Sequence, residues 1–351
     1  MGNGPDSGKL LLEEYLPHPE LVVPEHPVAK AKFPAIDVHN HLGRWVGKGA
    51  EEVARRVEEM DACNLKACFD LDGSRGAPLG ESIQLLKETY PGRFYVLTVL
   101  SWEEAAKSGK KVGETLAREL AEAVEEGADG LKIHKSLGLR VRGLDGKLLM
   151  PDDPSLGPLF VKCAKLKVPC LFHVADPIAF FKPLDRYNER WEELANHPDW
   201  HFVGGDLPGF QMLMESQERL LEQHPDTLFQ SAHVASASED LGYVSTLLDR
   251  YPNLHVDMSA RIAELGRQPY TAREFFLKYP DRILYGTDVA LTAEWQRIYM
   301  RFLETFDEHF AYGLGEVPDQ GRWRICGIGL PDEVLKKVYY ENAERLYGPP
   351  A

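Results

Sequence analysis

Cysteine, positive charge and long apolar runs are all scarce in this chain of 351 residues. Its five cysteines are odd in number and none forms a C-x-x-C pair, so we expect buried reduced thiols rather than a disulfide framework. Lysine and arginine number 40 against 55 aspartates and glutamates, which gives a net charge of -15. This balance argues against nucleic acid as a partner, because nucleic acid is held largely by neutralising its phosphates. We expect a small-molecule substrate, and homo-oligomerisation stays open.

The chain also lacks the signals of a membrane protein. No apolar stretch approaches the roughly 20 residues that cross a bilayer, and residues 1–5 contain no signal-peptide core. These absences predict a cytoplasmic protein without a membrane partner, although such a start is also compatible with a leader removed in processing.

Polar residues at the ends of hydrophobic runs are the most informative feature that is present. His39 and His41 end one run, and His173, His233 and Asp288 end three others. A single histidine at a strand end is usually structural, but five such residues in strands of one closed sheet would meet at one rim. Imidazole nitrogens with one carboxylate suit a divalent ion such as zinc and leave a position open for water. The pattern therefore predicts a catalytic metal site.

Apolar runs alternate with amphipathic stretches along most of the chain. Short, nearly all-apolar strands are typical of parallel strands that are buried on both faces. Eight alternations predict an α/β fold, a (β/α)8 TIM barrel, whose active site lies at the carboxyl ends of the strands. The predicted strands are 35–41, 65–71, 93–100, 130–135, 168–174, 228–233, 254–258 and 282–286.

The domain organisation that we predict is simple. Residues 1–32 form a proline-rich extended arm, and residues 33–348 form the barrel. The regular spacing fails once, where residues 176–227 form a long insertion at the rim after strand 5. Long loops at a catalytic rim are usually functional, so we interpret this one as a wall or lid over the pocket. The alternative is an excursion that has no role at the site or that forms a dimer contact.

Several sequence motifs together carry a resemblance to a known family. Over residues 33–348 the chain resembles the amidohydrolase superfamily, and most closely its branch called amidohydrolase family 2. That branch includes hydrolases and non-oxidative decarboxylases, such as aminocarboxymuconate semialdehyde and γ-resorcylate decarboxylases. The segments that carry the resemblance are IDVHNH at 36–41, GLKIH at 130–134, LFH at 171–173, SAH at 231–233, DRILYGTD at 281–288 and YENAERL at 340–346.

The resemblance implies roles for the five polar residues. The positions of His39, His41, His173 and Asp288 bind the metal in the family, and the position of His233 assists catalysis beside it. We therefore predict one divalent ion per chain, zinc in the first place and manganese in the second. Asp288 would be both ligand and catalytic proton acceptor.

Lys132 admits two interpretations. In phosphotriesterase-like relatives a lysine at the end of strand four is carboxylated and bridges two metals, and GLKI at 130–133 resembles that context. The family members with a single metal have no such bridge. We expect Lys132 to bind substrate or to be paired structurally.

Two reactions are compatible with this set of residues. A bound divalent cation lowers the pKa of its water toward about 7, so the first interpretation is a metal-dependent hydrolase of a small amide, ester, lactone or carboxylic acid. The second is a metal-dependent non-oxidative decarboxylase, in which Asp288 protonates the carbon that loses CO₂. A catalytically silent metal-binding barrel is a third alternative, which the complete set of residues disfavours.

Positive side chains near the rim are candidates for holding a substrate carboxylate. Arg44 follows the first strand and Arg261 follows the seventh, and Lys132 ends the fourth. A guanidinium can bind a carboxylate through two parallel hydrogen bonds, which makes the two arginines the natural candidates.

Overall fold

The computed structural model describes residues 10–351, apart from the Arg44 side chain, and its strands are short. They are β1 (Ala35–Asp37), β2 (Leu65–Gly73), β3 (Phe94–Val99), β4 (Gly130–Ile133), β5 (Cys170–Phe172), β6 (Phe229–Ser231), β7 (Leu254–Asp257) and β8 (Ile283–Leu284). Each coincides with a predicted strand, but most end earlier. His39 and His41 therefore follow β1 instead of lying inside it.

Helices and turns connect the strands. The helical segments are α1 (Gly43–Val46), α2 (Ala50–Ala62), α3 (Ala77–Ser82), α4 (Trp102–Ala106), α5 (Val112–Glu126), α6 (Ser136–Leu139), α7 (Gly157–Leu166), α8 (Trp191–Asn196), α9 (Phe210–Gln223), α10 (Ala232–Ala235), α11 (Leu241–Arg250), α12 (Ile262–Leu265), α13 (Pro269–Lys278), α14 (Ala293–Glu304), α15 (Asp332–Lys336) and α16 (Asn342–Tyr347). Two of them, α6 and α10, contain residues outside the helical region and are turns rather than regular helices. Segments Ile83–Glu88 and Lys337–Glu341 are π-helical, and short 3-10 turns occupy Leu12–Glu14, Gly109–Lys111, Pro154–Leu156, Ile178–Phe181 and Pro198–Trp200.

The eight strands form one parallel sheet in sequential order, from β1 to β8. Main-chain hydrogen bonds also join its two ends. The Val38 amide donates to the Tyr285 carbonyl at 2.9 Å, and the Asp288 amide donates to the His39 carbonyl at 2.8 Å. The predicted (β/α)8 TIM-barrel fold is confirmed, and its closure brings the residues after β1 and β8 together.

Apolar side chains fill both sides of the sheet. Inside the barrel, Ile36, Phe69, Leu97 and Leu171 belong to one buried cluster. A larger cluster lies between the sheet and the surrounding helices. Burial on both faces explains why the strand sequences are nearly all apolar.

The connection between β5 and β6 contains α8, α9 and two 3-10 turns. Helix α9 buries Leu213, Leu220 and Leu221, as a helix of the barrel layer does. Residues 176–209, which precede α9, supply side chains to the cavity at the rim. The division into an arm (1–32) and a barrel with a rim insertion at 176–227 stays a prediction.

The cysteines are unpaired in the structure, as the sequence predicts. All five cysteines are free thiols; four are buried and Cys326 is half-buried. Within residues 10–351, no helix has the length and apolar character needed to span a bilayer.

Candidate metal centre

Three imidazole rings converge on one carboxylate at the carboxyl rim of the barrel. The Nε2 atoms of His39 and His233 lie 3.9 and 3.8 Å from Oδ2 of Asp288. Nε2 of His41 lies 3.7 Å from Oδ1 of the same residue. The structure thus brings together four of the five residues that the sequence placed at one rim.

The other ring nitrogen of each histidine is already engaged. Nδ1 of His39 lies 3.1 Å from Asp257, Nδ1 of His41 lies 2.6 Å from Asp72, and Nδ1 of His233 lies 2.8 Å from the Ser259 carbonyl. Carbonyl and ionised carboxylate oxygens only accept hydrogen bonds, so in each neutral ring Nδ1 carries the proton. The Nε2 lone pairs are therefore left to face Asp288.

Burial and charge set the protonation of these rings. Burial lowers the pKa of His233 and of His173 well below the usual value, so both rings are neutral. Burial also opposes protonation of His41. The hydrogen bond to Asp72 and the charge of Asp288 outweigh it and raise the pKa of His41.

The main chain is held in an unusual conformation at two of the site residues. His233 has a φ of 59° and Asp288 a φ of 55°, in the left-handed region that side chains with a Cβ rarely adopt. Residues 234–236 continue this left-handed turn after β6. The His233 amide donates to Asp257 at 3.0 Å, which fixes the start of the turn. Such strain is typical of positions where side-chain direction matters for function.

The donor set fits a divalent cation. His39, His233 and Asp288 offer ligand atoms that lie within 4.8 Å of one another. Neutral imidazole nitrogens with one carboxylate are the ligands that zinc and related ions prefer. Carboxylates behind His39 and His41 are the outer partners that usually orient metal-binding histidines. The site is therefore suited to a divalent metal.

His173 lies beside this group but faces a different carboxylate. Its ring centroid is 4.3 Å from that of His233. Its buried Nε2 is 3.3 Å from Oδ1 of Asp176, without the geometry of a hydrogen bond, and has no hydrogen-bond partner among the described residues. An unpartnered buried nitrogen at this position is consistent with a ligand atom.

Lys132 and His134 follow one another along the end of β4. Lys132 is fully buried, and its Nζ makes no hydrogen bond to any residue in the described part of the chain. Burial lowers its pKa to about 8, against the opposing charges of Asp257 and Asp288. The His134 ring stacks on His41 with centroids 5.8 Å apart, and burial lowers its pKa to about 3.

A cavity of about 330 Å³ opens beside the centre. Arg261 is 5% exposed and lines it, with Nη1 donating to the Ala260 carbonyl at 2.9 Å. No described residue forms an ion pair with Arg261, so its guanidinium is available to bind an anionic group. The predicted candidate Arg44 lies in α1, and its side chain is outside what the structure describes. The β5–β6 connection contributes other lining residues, which are Asp176, Pro177, Phe180, Glu193, His197 and Trp200.

Sequence reasoning missed the residues that orient the rings. Asp72 lies near the end of β2 and Asp257 ends β7, so both obey the rule of polar strand ends that identified the histidines. Asp37, by contrast, touches no ring. It accepts hydrogen bonds from the Thr287 amide at 3.0 Å and from Gln296 at 2.9 Å, and so ties β1 to the segment after β8.

Solved structures with the same fold cover nearly the whole chain. A 2,6-dihydroxybenzoate decarboxylase from Rhizobium is 17% identical, with a TM-score of 0.53 over 90% of this chain and 98% of that one. A 5-carboxyvanillate decarboxylase from Novosphingobium aromaticivorans, complexed with manganese, is 13% identical, with a TM-score of 0.53 over 92% and 98%. An uncharacterized TIM-barrel protein from Bordetella bronchiseptica is 15% identical, with a TM-score of 0.54 over 89% and 97%. At these identities the similarity shows the fold.

Family comparison gives a more specific result. Curated proteins gave no match. The family model Amidohydro_2, described as amidohydrolase, matches residues 36–348, which is most of the chain. The match spans every strand from β2 to β8 and the polar residues that follow β1. This chain therefore belongs to the amidohydrolase family.

Proposed function

We propose that this protein is a metal-dependent hydrolase of a small amide, ester or lactone that carries a carboxylate. The convergence of three imidazole Nε2 atoms on Asp288 supports this proposal more than any other observation. Each of these atoms is free because Nδ1 of its ring is engaged elsewhere.

We assign His39, His41, His173 and Asp288 as the residues that hold the ion. A bound divalent cation supplies a water whose pKa is lowered toward about 7. Asp288 would accept a proton from this water and deliver it to the leaving group. His233 is neutral with its proton on Nδ1, so its Nε2 can accept a hydrogen bond from water but cannot donate one to a carbonyl. We therefore assign it to orienting the water.

For the ion itself we propose zinc, with manganese as the alternative, at one ion per chain. Three imidazoles and one carboxylate favour zinc. The manganese in the similar 5-carboxyvanillate decarboxylase supports the alternative. One ion is proposed because the described residues contain one group of metal-binding side chains, which is His39, His233 and Asp288. We assign the buried Lys132 as a structural or substrate-binding residue rather than a bridging one.

We propose Arg261 as the main group that binds the substrate carboxylate. It lines the cavity beside His233 and Asp288 and has no ion-pair partner within residues 10–351. Arg44 and Lys132 remain secondary candidates.

Decarboxylation is the second candidate, and the similar solved structures favour it. Two of those described above are decarboxylases that act on aromatic acids. The same residues would serve, with Asp288 donating a proton to the carbon that loses CO₂. The identity of the metal-binding residues does not by itself distinguish hydrolysis from decarboxylation.

A substrate panel and metal analysis test the proposal. The protein, loaded with Zn²⁺ or Mn²⁺, is offered amides, esters, lactones and aromatic acids while CO₂ release and acid or amine release are both measured. We expect acid or amine release, about one ion per chain, and loss of both activity and metal in His39→Ala. CO₂ release alone would establish the decarboxylase, and absence of metal after reconstitution would contradict both.

The role of Arg261 has its own test on the substrate so found. A carboxylate bound by charge-assisted hydrogen bonds contributes roughly 1.5 to 3 kcal/mol, so Arg261→Ala should lower kcat/KM about tenfold or more. Arg261→Lys should recover little, because the planar fork is lost. Arg267→Ala is the control, because Arg267 pairs with Glu189 away from the cavity. Equal kinetics in the Arg261 and Arg267 variants would remove Arg261 from substrate binding.

A further inference from the structure

One buried carboxylate contacts two histidines of the site. Asp257, at the end of β7, is fully buried. Its Oδ2 accepts hydrogen bonds from Nδ1 of His39 at 3.1 Å and from Gln230 at 2.7 Å. Its Oδ1 accepts from the main-chain amide of His233 at 3.0 Å. A single side chain thus reaches the ring of one histidine and the backbone of another.

Ser259 completes the arrangement two residues later. Its amide and hydroxyl both donate to Oδ1 of Asp257, the amide at 3.2 Å. Its Oγ also lies 3.0 Å from Nδ1 of His39 and 3.0 Å from Nδ1 of His233. Among the described residues, five donors therefore meet the Asp257 carboxylate. Two of them are the main-chain amides of His233 and Ser259, which can donate a hydrogen bond but never accept one.

We propose that Asp257 is a positioning residue that fixes the tautomer of His39 and the left-handed turn of His233 together. The inference rests on the proposed function for the roles of the two histidines, but the coupling itself depends only on the hydrogen bonds. One carboxylate then controls a residue assigned to the metal and the residue assigned to the water.

Replacing Asp257 by asparagine has a definite consequence, because only one orientation of the amide is acceptable. On the Oδ1 side the donors include the main-chain amides of His233 and Ser259, which cannot become acceptors. On the Oδ2 side the donors are Nδ1 of His39 and the side-chain amide of Gln230. Both can become acceptors, the ring by moving its proton and the amide by turning over. The amide NH₂ must therefore face His39, whose Nδ1 becomes the acceptor and whose proton moves to Nε2. A protonated Nε2 cannot bind a metal.

The experiment compares Asp257→Asn with a matched control, Asp37→Asn. Asp37 is equally buried and accepts hydrogen bonds from the amides of His39 and Thr287, the Thr287 hydroxyl, Gln296 and Asn40, but from no ring nitrogen. Mn²⁺ is titrated calorimetrically into each metal-free protein. Histidine ¹⁵N chemical shifts report the tautomers, and thermal unfolding reports stability.

We expect Asp257→Asn to weaken Mn²⁺ binding about 10- to 100-fold, as loss of an outer partner of a metal ligand typically does. His39 should change from the Nδ1–H to the Nε2–H tautomer. Asp37→Asn should lower the unfolding temperature about as much as Asp257→Asn does. Its Mn²⁺ affinity and its His39 tautomer should stay near those of wild type.

Two outcomes would overturn the proposal. One is an unchanged His39 tautomer in Asp257→Asn. The other is an equal loss of Mn²⁺ affinity in both variants, which would mean that affinity follows barrel stability rather than ring orientation. Failure of the proposed function is distinguishable, because it would leave wild type without hydrolysis or CO₂ release while the tautomer change in metal-free protein still occurs.

Discussion

At the scale of single residues, hydrogen-bond partners decide which atom of each side chain is free to act. His39, His41 and His233 have similar sequence contexts, each at a strand end. Their Nδ1 partners Asp257, Asp72 and the Ser259 carbonyl leave Nε2 toward Asp288 in all three. The chemical character of the centre therefore depends on residues that do not touch Asp288.

Lys132 gives a residue-scale prediction about pH. Unfolded lysine keeps its proton up to about pH 10.4, whereas burial lowers the pKa of folded Lys132 to about 8. Between these values the unfolded state binds more protons, so raising the pH should stabilise the metal-free protein. The gain for this one group is roughly 3 kcal/mol.

Urea unfolding of wild type and Lys132→Met between pH 7 and about 10.5 measures this effect. Methionine has a similar shape and no charge, so the variant should lose the rise in stability with pH. A parallel pH dependence in the two proteins would show that Lys132 carries a neutralising partner, as a carboxylated lysine would. Metal content near two per chain would then be expected, against our proposal of one.

At the scale of elements, the left-handed turn after β6 is the least ordinary part of the barrel. Four successive residues that are not glycine, His233 to Ser236, have φ between 54° and 60°. Left-handed conformation disfavours residues with a Cβ by roughly 1–2 kcal/mol each. Hydrogen bonds offset this cost: Asp257 accepts from the start of the turn, and Ser236 Oγ accepts from the Ala175 amide at 3.2 Å.

Glycine substitution within this turn tests the strain. Ala235→Gly removes a buried methyl but also removes the Cβ conflict at φ 54°. Ala123→Gly, in the right-handed helix α5, removes an equally buried methyl without any such relief. We expect Ala235→Gly to be the less destabilising of the two by about 1–2 kcal/mol in urea unfolding. Equal destabilisation would mean that the turn is not strained.

At the scale of the whole molecule, metal binding and barrel closure involve the same segments. The residues after β1 and β8 are joined by the hydrogen bond between the Asp288 amide and the His39 carbonyl, and both side chains belong to the proposed centre. An ion held there would link the first and last strands through side chains as well as main chain.

Removing the metal should therefore destabilise the whole barrel. Binding to the folded state alone stabilises a protein by about 2.7 kcal/mol when the free ligand is at 100 times its Kd. We expect a chelator to lower the unfolding temperature of the loaded protein and added Zn²⁺ or Mn²⁺ to restore it. His39→Ala should unfold at the same temperature with and without metal. If the unfolding temperature of wild type were the same with and without the ion, this would contradict the proposed centre.

The sequence by itself determined the barrel and the identity of the polar rim. Apolar strands fully buried between an inner and an outer core can be recognised from short runs of apolar residues, and sequential parallel order follows from the alternation with helices. His39, His41, His233 and Asp288 could be grouped because strand ends of a closed barrel must meet at one rim.

Only the tertiary structure decided how those side chains are aimed. The orientation of His39 depends on Asp257, 218 positions away along the chain, and that of His41 on Asp72. The left-handed turn at His233 carries no glycine that would signal it. That Arg261 has no ion-pair partner within residues 10–351 could be identified only once the carboxylates around it were placed. Such features depend on contacts between segments distant in sequence, and local propensity contains no information about them.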